Sequence, residues 1–196
     1  LAPMSIINTS CSSEKRMRIR VVYSLHEAVQ KKPDWPNIGF DFNPVMEQIN
    51  TALTKKFSNF EFIPTLATGP EEAEKTAATD ITDSIDGYIV YQMNCWNRVV
   101  QTIAKTGKPV LYVDFQFGGS GGFLVYTSSF LRENSLNVGF VASSQMEDLL
   151  SAVGCFNIIR KGGTPADFVA ATAQLRIKNT KAPGKYALLT NNIQAL

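Results

Sequence analysis

Asp86-Gly87-Tyr88-Ile89-Val90-Tyr91 begins as a turn and continues as four apolar residues without alternation. Alternation at period two marks a strand with one wet face, whereas an unbroken apolar run marks a strand covered on both faces. Residues 86–92 therefore read as an inner strand of a parallel sheet. Outward from it, strands recur at Met17–Tyr23 (MRIRVVY), Phe60–Pro64 (FEFIP), Pro109–Val113 (PVLYV) and Leu136–Val141 (LNVGFV). In the first of these Ile19, Val21 and Tyr23 point one way and Arg18 and Arg20 the other. Helical spacing fills the gaps. Asn43-Pro44 opens a helix with Val45/Met46, Ile49, Ala52/Leu53 and Phe57 on its core face. Gly69-Pro70-Glu71-Glu72 starts another, with acid in its first turn where the helix dipole favours it. Trp96, Val99/Val100 and Ile103/Ala104 form the stripe of a third, closed by Gly107 and Pro109. Ser144-Gln145-Met146-Glu147 matches a capping box. Thr164-Pro165-Ala166-Asp167 opens a last helix with Phe168, Ala171 and Leu175 inward. Strand alternating with helix five times predicts an α/β fold. Its form is a three-layer α/β/α sandwich around a doubly wound five-stranded parallel sheet, with right-handed crossovers and the first strand central.

Composition narrows the function. The 196 residues are 44% hydrophobic, enough for a real core, and carry 19 Lys+Arg against 17 Asp+Glu, a net charge of +2. That balance is too even for a chain built on phosphate neutralisation, so nucleic acid is not an expected partner. A single His, His26, and Cys at 11, 95 and 155 rule out a self-contained zinc finger. The odd Cys count argues against a disulfide scaffold. No apolar run reaches the roughly 18 residues of a spanning helix.

The ends divide the chain. Residues 1–16 read either as a disordered arm or as the remnant of a signal peptide, with Cys11 a lipid-anchoring position in a poor lipobox. Three unpaired Cys count against export, so exported or periplasmic and cytoplasmic locations both stand. Residues 17–178 form the sandwich domain. Residues 179–196 comprise a breaker-rich linker (Asn179–Gly184) and a strand from Lys185, the expected start of a following domain.

In doubly wound sheets ligands sit beyond the carboxyl ends of the strands. After strand four come Asp114 and Phe115-Gln116-Phe117-Gly118-Gly119-Ser120-Gly121-Gly122-Phe123. Four glycines in five positions permit positive φ and a nest of amides, but the Lys-Ser/Thr of a phosphate loop and the dinucleotide spacing are missing. A flexible turn, a sugar or polyol site and an oligomer contact all stand ahead of a nucleotide site. After strand three, Gln92, Asn94, Trp96 and Arg98 suit a polyhydroxylated ligand, although Trp96 also falls on the core stripe of its helix. Cys95 reads as an inert small residue. After strand one, His26 beside Glu27 is either a general base or a surface residue, and residues 33–42 read as a lid, binding loop or interface. Ser143-Ser144 offers hydroxyls after strand five, but Ser144 is explained as a cap. The candidate binding residues are thus His26, Gln92, Asn94, Trp96, Asp114, Gln116, Gly118, Gly119, Ser120 and Gly121. They predict a polar cleft with an aromatic wall, and no catalytic or metal-ligating residue is expected.

This layout resembles the amino-terminal domain of the L-fucose/L-arabinose isomerase superfamily. The likeness rests on Asp86–Tyr91, Trp96 and its helix, Thr106-Gly107-Lys108-Pro109-Val110-Leu111 and Gly118–Gly122, and covers residues 17 to 177. It implies a sandwich with strand order 2-1-3-4-5 and a second Rossmann-like domain beginning near Tyr186. It also implies that the divalent metal (Mn²⁺ or Mg²⁺) and the acid/base carboxylates of an aldose–ketose isomerisation belong to later domains. This domain would then supply a wall of the sugar site and homo-oligomer contacts, without turnover of its own. The signal-like start departs from that family. A different class is a sugar-binding or sensing domain of periplasmic-binding-protein type without chemistry; a third is a flavodoxin-like nucleotide binder.

Overall fold

The structure, a computed structural model, describes residues 15–94, 96–115 and 117–179. The expected leader up to residue 14 and the tail from 180 lie outside the described residues. In chain order the elements are β1 (Met17–Ser24), α1 (Asn43–Lys56), β2 (Phe60–Ala67), α2 (Pro70–Thr82), β3 (Gly87–Gln92), α3 (Val99–Ala104) and β4 (Val110–Asp114). There follow α4 (Ser120–Arg132), β5 (Val138–Val141), α5 (Met146–Gly154), α6 (Phe156–Arg160) and α7 (Pro165–Asn179). All four strand pairings are parallel and the order is β2-β1-β3-β4-β5. The chain winds outward from β1 to β2, returns, and winds the other way from β3. The expected central position of β1 is corrected by one place: β3 is the middle strand, and the order reverses between β1 and β3.

Every residue of β3 is buried, as its unbroken apolar run requires. Alternate strand residues feed two cores. Ile19, Val21, Tyr91 and Val113 pack with Ile49 and Leu53 of α1, Leu149 of α5 and Phe168 of α7. Val22, Tyr88, Val90 and Tyr112 pack with Ala73 of α2, Ile103 of α3 and Phe123 of α4. Arg20 lies on the second face and is itself buried, paired with the fully buried Asp80 of α2 and, at 3.2 Å, with Asp83.

Helix starts shift by small amounts. At α1 the cap position is Phe42, without a side-chain cap bond, and Asp41 before it accepts the Asn43 backbone N–H and side-chain amide on Oδ1, both at 2.9 Å. At α7 the reading holds. Asp167 Oδ2 accepts the Thr164 backbone N–H at 2.8 Å and its hydroxyl at 2.7 Å, and the Asp167 N–H donates back to Thr164 Oγ1 at 3.2 Å. The helix extends to Asn179, the first residue of the expected linker. Phe168 stacks on Phe156, and the Phe156 ring lies against Gly87 at the amino end of β3. Farther along, Thr172 lies against Gly139 of β5. α7 therefore runs beside β5 toward the carboxyl edge. At α3 the expected stripe is too long: the helix has six residues, and Trp96 lies outside it with φ 63°.

Candidate functional site

The carboxyl edge is assembled from three loops that hold one another. Asn94 Oδ1 accepts the His26 backbone N–H at 2.9 Å, and Asn94 Nδ2 donates to the Trp35 carbonyl at 2.5 Å. His26 Nδ1 lies 2.5 Å from Asp34 Oδ2. Burial works to raise the Asp34 carboxyl, but the bonds from His26 and the Trp35 N–H outweigh it and hold the group below its ordinary range. Gln92 Oε1 accepts the Tyr112 hydroxyl at 2.7 Å, and its Nε2 donates to the Asn94 carbonyl. The expected ligand role of Gln92 and Asn94 is therefore corrected. Both are fully buried, and their amides are committed to joining loop to strand.

The glycine-rich loop is likewise built for close approach. Gly119 takes φ +83°, and a Cβ there would strike the Gln92 carbonyl. A Cβ on Gly118 would come within 3.1 Å of the Trp35 Cβ. Ser120 and Gly121 belong to the first turn of α4. The Ser120 hydroxyl donates to Asp114 at 3.1 and 3.2 Å. Burial raises the Asp114 carboxyl despite that hydroxyl and the Phe115 N–H. Trp96 is 61% exposed, edge-on to Tyr126 at 6.0 Å, rather than core. Gln116 and Cys95 lie outside the described residues. Cys155 is a free thiol pushed up by burial, the opposite of an activated nucleophile.

The predicted residues thus do share one edge, but the concavity lies beside them, between α1 and the start of α5. It is a cleft of about 210 Å³. Its floor is Tyr91, Val113 and Phe115, its outer wall Phe117, and its polar rim Gln48, Ser143, Ser144 and Gln145. Of the nine described candidates only Asp114 touches it. Strand alternation sets Val113 and Phe115 toward the cleft and turns Asp114 toward Ser120, so the carboxylate sits at the lip. Among the described residues no Lys, Arg or His lines the cleft. The capping box expected at Ser144–Glu147 does not form: the cap position of α5 is Gln145, without a side-chain cap bond. Ser143 Oγ accepts the Gln145 N–H at 3.1 Å and donates to Asp148 Oδ2 at 2.6 Å. Ser144 is thereby released from capping, with a long 3.4 Å contact from Gln145 Nε2. Tyr91 carried a usable signal: it is the last residue but one of β3 and shares a face with Ile89.

Among the described residues there is no group of three His, Cys, Asp or Glu placed to hold a metal, and no helix long and apolar enough to cross a membrane. These features define a doubly wound α/β domain with a small cleft at its carboxyl edge. No known protein family and no curated protein matches the chain. Among solved structures, a regulatory protein of the LacI family from Chloroflexus aggregans is 11% identical, with 81% of this chain and 73% of that one covered and a TM-score of 0.34. The transcription regulator CcpA of Lactococcus lactis is 12% identical, with 86% and 76% covered and a TM-score of 0.33. Superpositions this loose carry no weight for fold or function, which rest on the strand topology and the cleft.

Proposed function

We propose that this domain binds a small, neutral, polyhydroxylated ligand of the sugar or polyol type in the cleft beyond β3, β4 and β5. It does so as a binding or sensing module of periplasmic-binding-protein type, without chemistry of its own. The observation that carries this reading is the lining, in which the Tyr91 hydroxyl in an apolar floor is rimmed by Ser144, Gln48 and Gln145, with no cationic side chain among the described residues. Such a surface satisfies ligand hydroxyls and packs against C–H faces. A phosphate would find no Lys or Arg there among the described residues, and Glu147 and Asp148 in the first turn of α5 repel an anion at that helix end. The cleft is smaller than the roughly 300 Å³ at which ordinary ligand pockets begin, so a single domain grips its ligand weakly. The isomerase-domain reading would use the same cleft as one wall of a larger site, with catalytic groups from later domains. Nothing among the described residues favours it over binding alone.

The test is titration of the full chain with D-glucose, L-arabinose, myo-inositol and ATP, followed by NMR of the backbone amides. Saturable shifts at Phe117 and residues 143–146 are expected with at least one neutral compound and not with ATP. Saturation by ATP alone, or no shift with any of the four, would sink the proposal.

A further inference from the structure

We infer that the Tyr91 hydroxyl is the ligand-anchoring donor of this cleft, without a partner among the described residues, so that an acceptor oxygen of the bound molecule completes it. The inference rests on the function proposed above and assigns its central contact. Tyr91 is 4% exposed, and it lines the cleft. Its ring stacks on that of Tyr23, with centroids 5.5 Å apart. The two phenols are otherwise unlike. The Tyr23 hydroxyl donates to Asn50 Oδ1 at 2.9 Å and approaches the Met46 carbonyl at 3.3 Å. The Tyr91 hydroxyl has no hydrogen bond to any described residue. That hydroxyl is not one of the fully enclosed unpartnered atoms, so it is open to the cleft, where water or a ligand meets it. Burial, with the Tyr23 phenol beside it, keeps this hydroxyl protonated well past neutral pH, so it remains a donor. Around it stand Gln48 from α1 and the released Ser144, which offer a ligand hydroxyl both donors and acceptors. The cleft therefore selects an uncharged ligand with an oxygen acceptor on its inward face and C–H groups toward Val113 and Leu149.

The stacked pair supplies its own control. Tyr91→Phe and Tyr23→Phe are made separately in the full chain. Each is unfolded in urea without ligand and titrated with D-glucose, L-arabinose and myo-inositol. Tyr23→Phe is expected to lower the urea midpoint and leave affinity unchanged. Tyr91→Phe is expected to leave the midpoint unchanged or raise it, while weakening the tightest of the three compounds about tenfold, the worth of one buried hydrogen bond. A midpoint lowered by Tyr91→Phe as much as by Tyr23→Phe overturns the inference, since the hydroxyl is then structural. Equal affinity of Tyr91→Phe and the unaltered chain overturns it too, while leaving the proposed function standing. If the unaltered chain binds none of the three, both fall.

Discussion

Gln92 and Asp114 stand opposite each other in register at the ends of β3 and β4, and their fates differ. Gln92 is satisfied internally, whereas the Asp114 carboxyl is held above its ordinary value of about 3.9 by burial. The folded state thus keeps that proton to higher pH than the unfolded chain does. Stability falls as pH rises from the unfolded toward the folded value, and the deficit is complete at neutral pH. Asp114→Asn removes the charge and retains an acceptor for Ser120. It is expected to raise the urea midpoint at pH 7, with the gain vanishing below about pH 3.5, where both states are protonated. A lowered midpoint at pH 7 would show that the carboxylate is instead stabilised where it sits. The same scale shows why the site was hard to read. Amides at a strand end look like ligand contacts until their partners are known, and those of Asn94 and Gln92 lie 68 and 20 positions away. Sequence pattern has no access to pairings of that range.

At the scale of elements the sequence was far more legible. The unbroken apolar run located β3 because burial on both faces leaves little other composition open to it, while β1 was legible from its alternation. Helix ends were less so, since the cap positions fall on Gln145 at α5 and Phe42 at α1, residues whose side chains make no cap bond and so leave no capping signal. At α3 the stripe continued back to Trp96, but Trp96 and Arg98 take φ 63° and 55°, which no right-handed helix admits. Arg20 shows a different limit. Alternation set it on the right face, but its burial depends on Asp80 arriving from α2. Removing Asp80 leaves a guanidinium in the core with only the more distant Asp83. Asp80→Ala is therefore expected to cost about 3 kcal/mol, at the lower end for a broken buried pair. Equilibrium urea unfolding measures it, and a loss under about 1 kcal/mol would mean that Asp83 or water takes over the role.

For the whole molecule, the question is whether the carboxyl-edge loops belong to the same cooperative unit as the sheet. The chain has two Trp. Trp35 and Trp96 both lie in those loops, exposed at 62% and 61%, so fluorescence reports on the loops while circular dichroism reports on the helices. Exposure of this kind usually marks segments that open ahead of the core. Three features oppose that here. Asn94 ties the Trp35 carbonyl to the end of β3. Gly118 packs under Trp35, and Gly119 lies on the Gln92 carbonyl. Phe40 of the first loop meets Phe115 edge-on at 6.3 Å and Phe117 at a tilt at 5.9 Å, both from the third. Opening the loops alone would strip the buried amides of Gln92 and Asn94, at a cost comparable to losing part of the core. Fluorescence and circular dichroism are therefore expected to give coincident urea transitions, as two-state unfolding requires. A fluorescence transition at clearly lower urea would separate the loops from the sheet. Because Phe117 walls the cleft, that outcome would mean the binding surface is assembled by the ligand rather than presented to it.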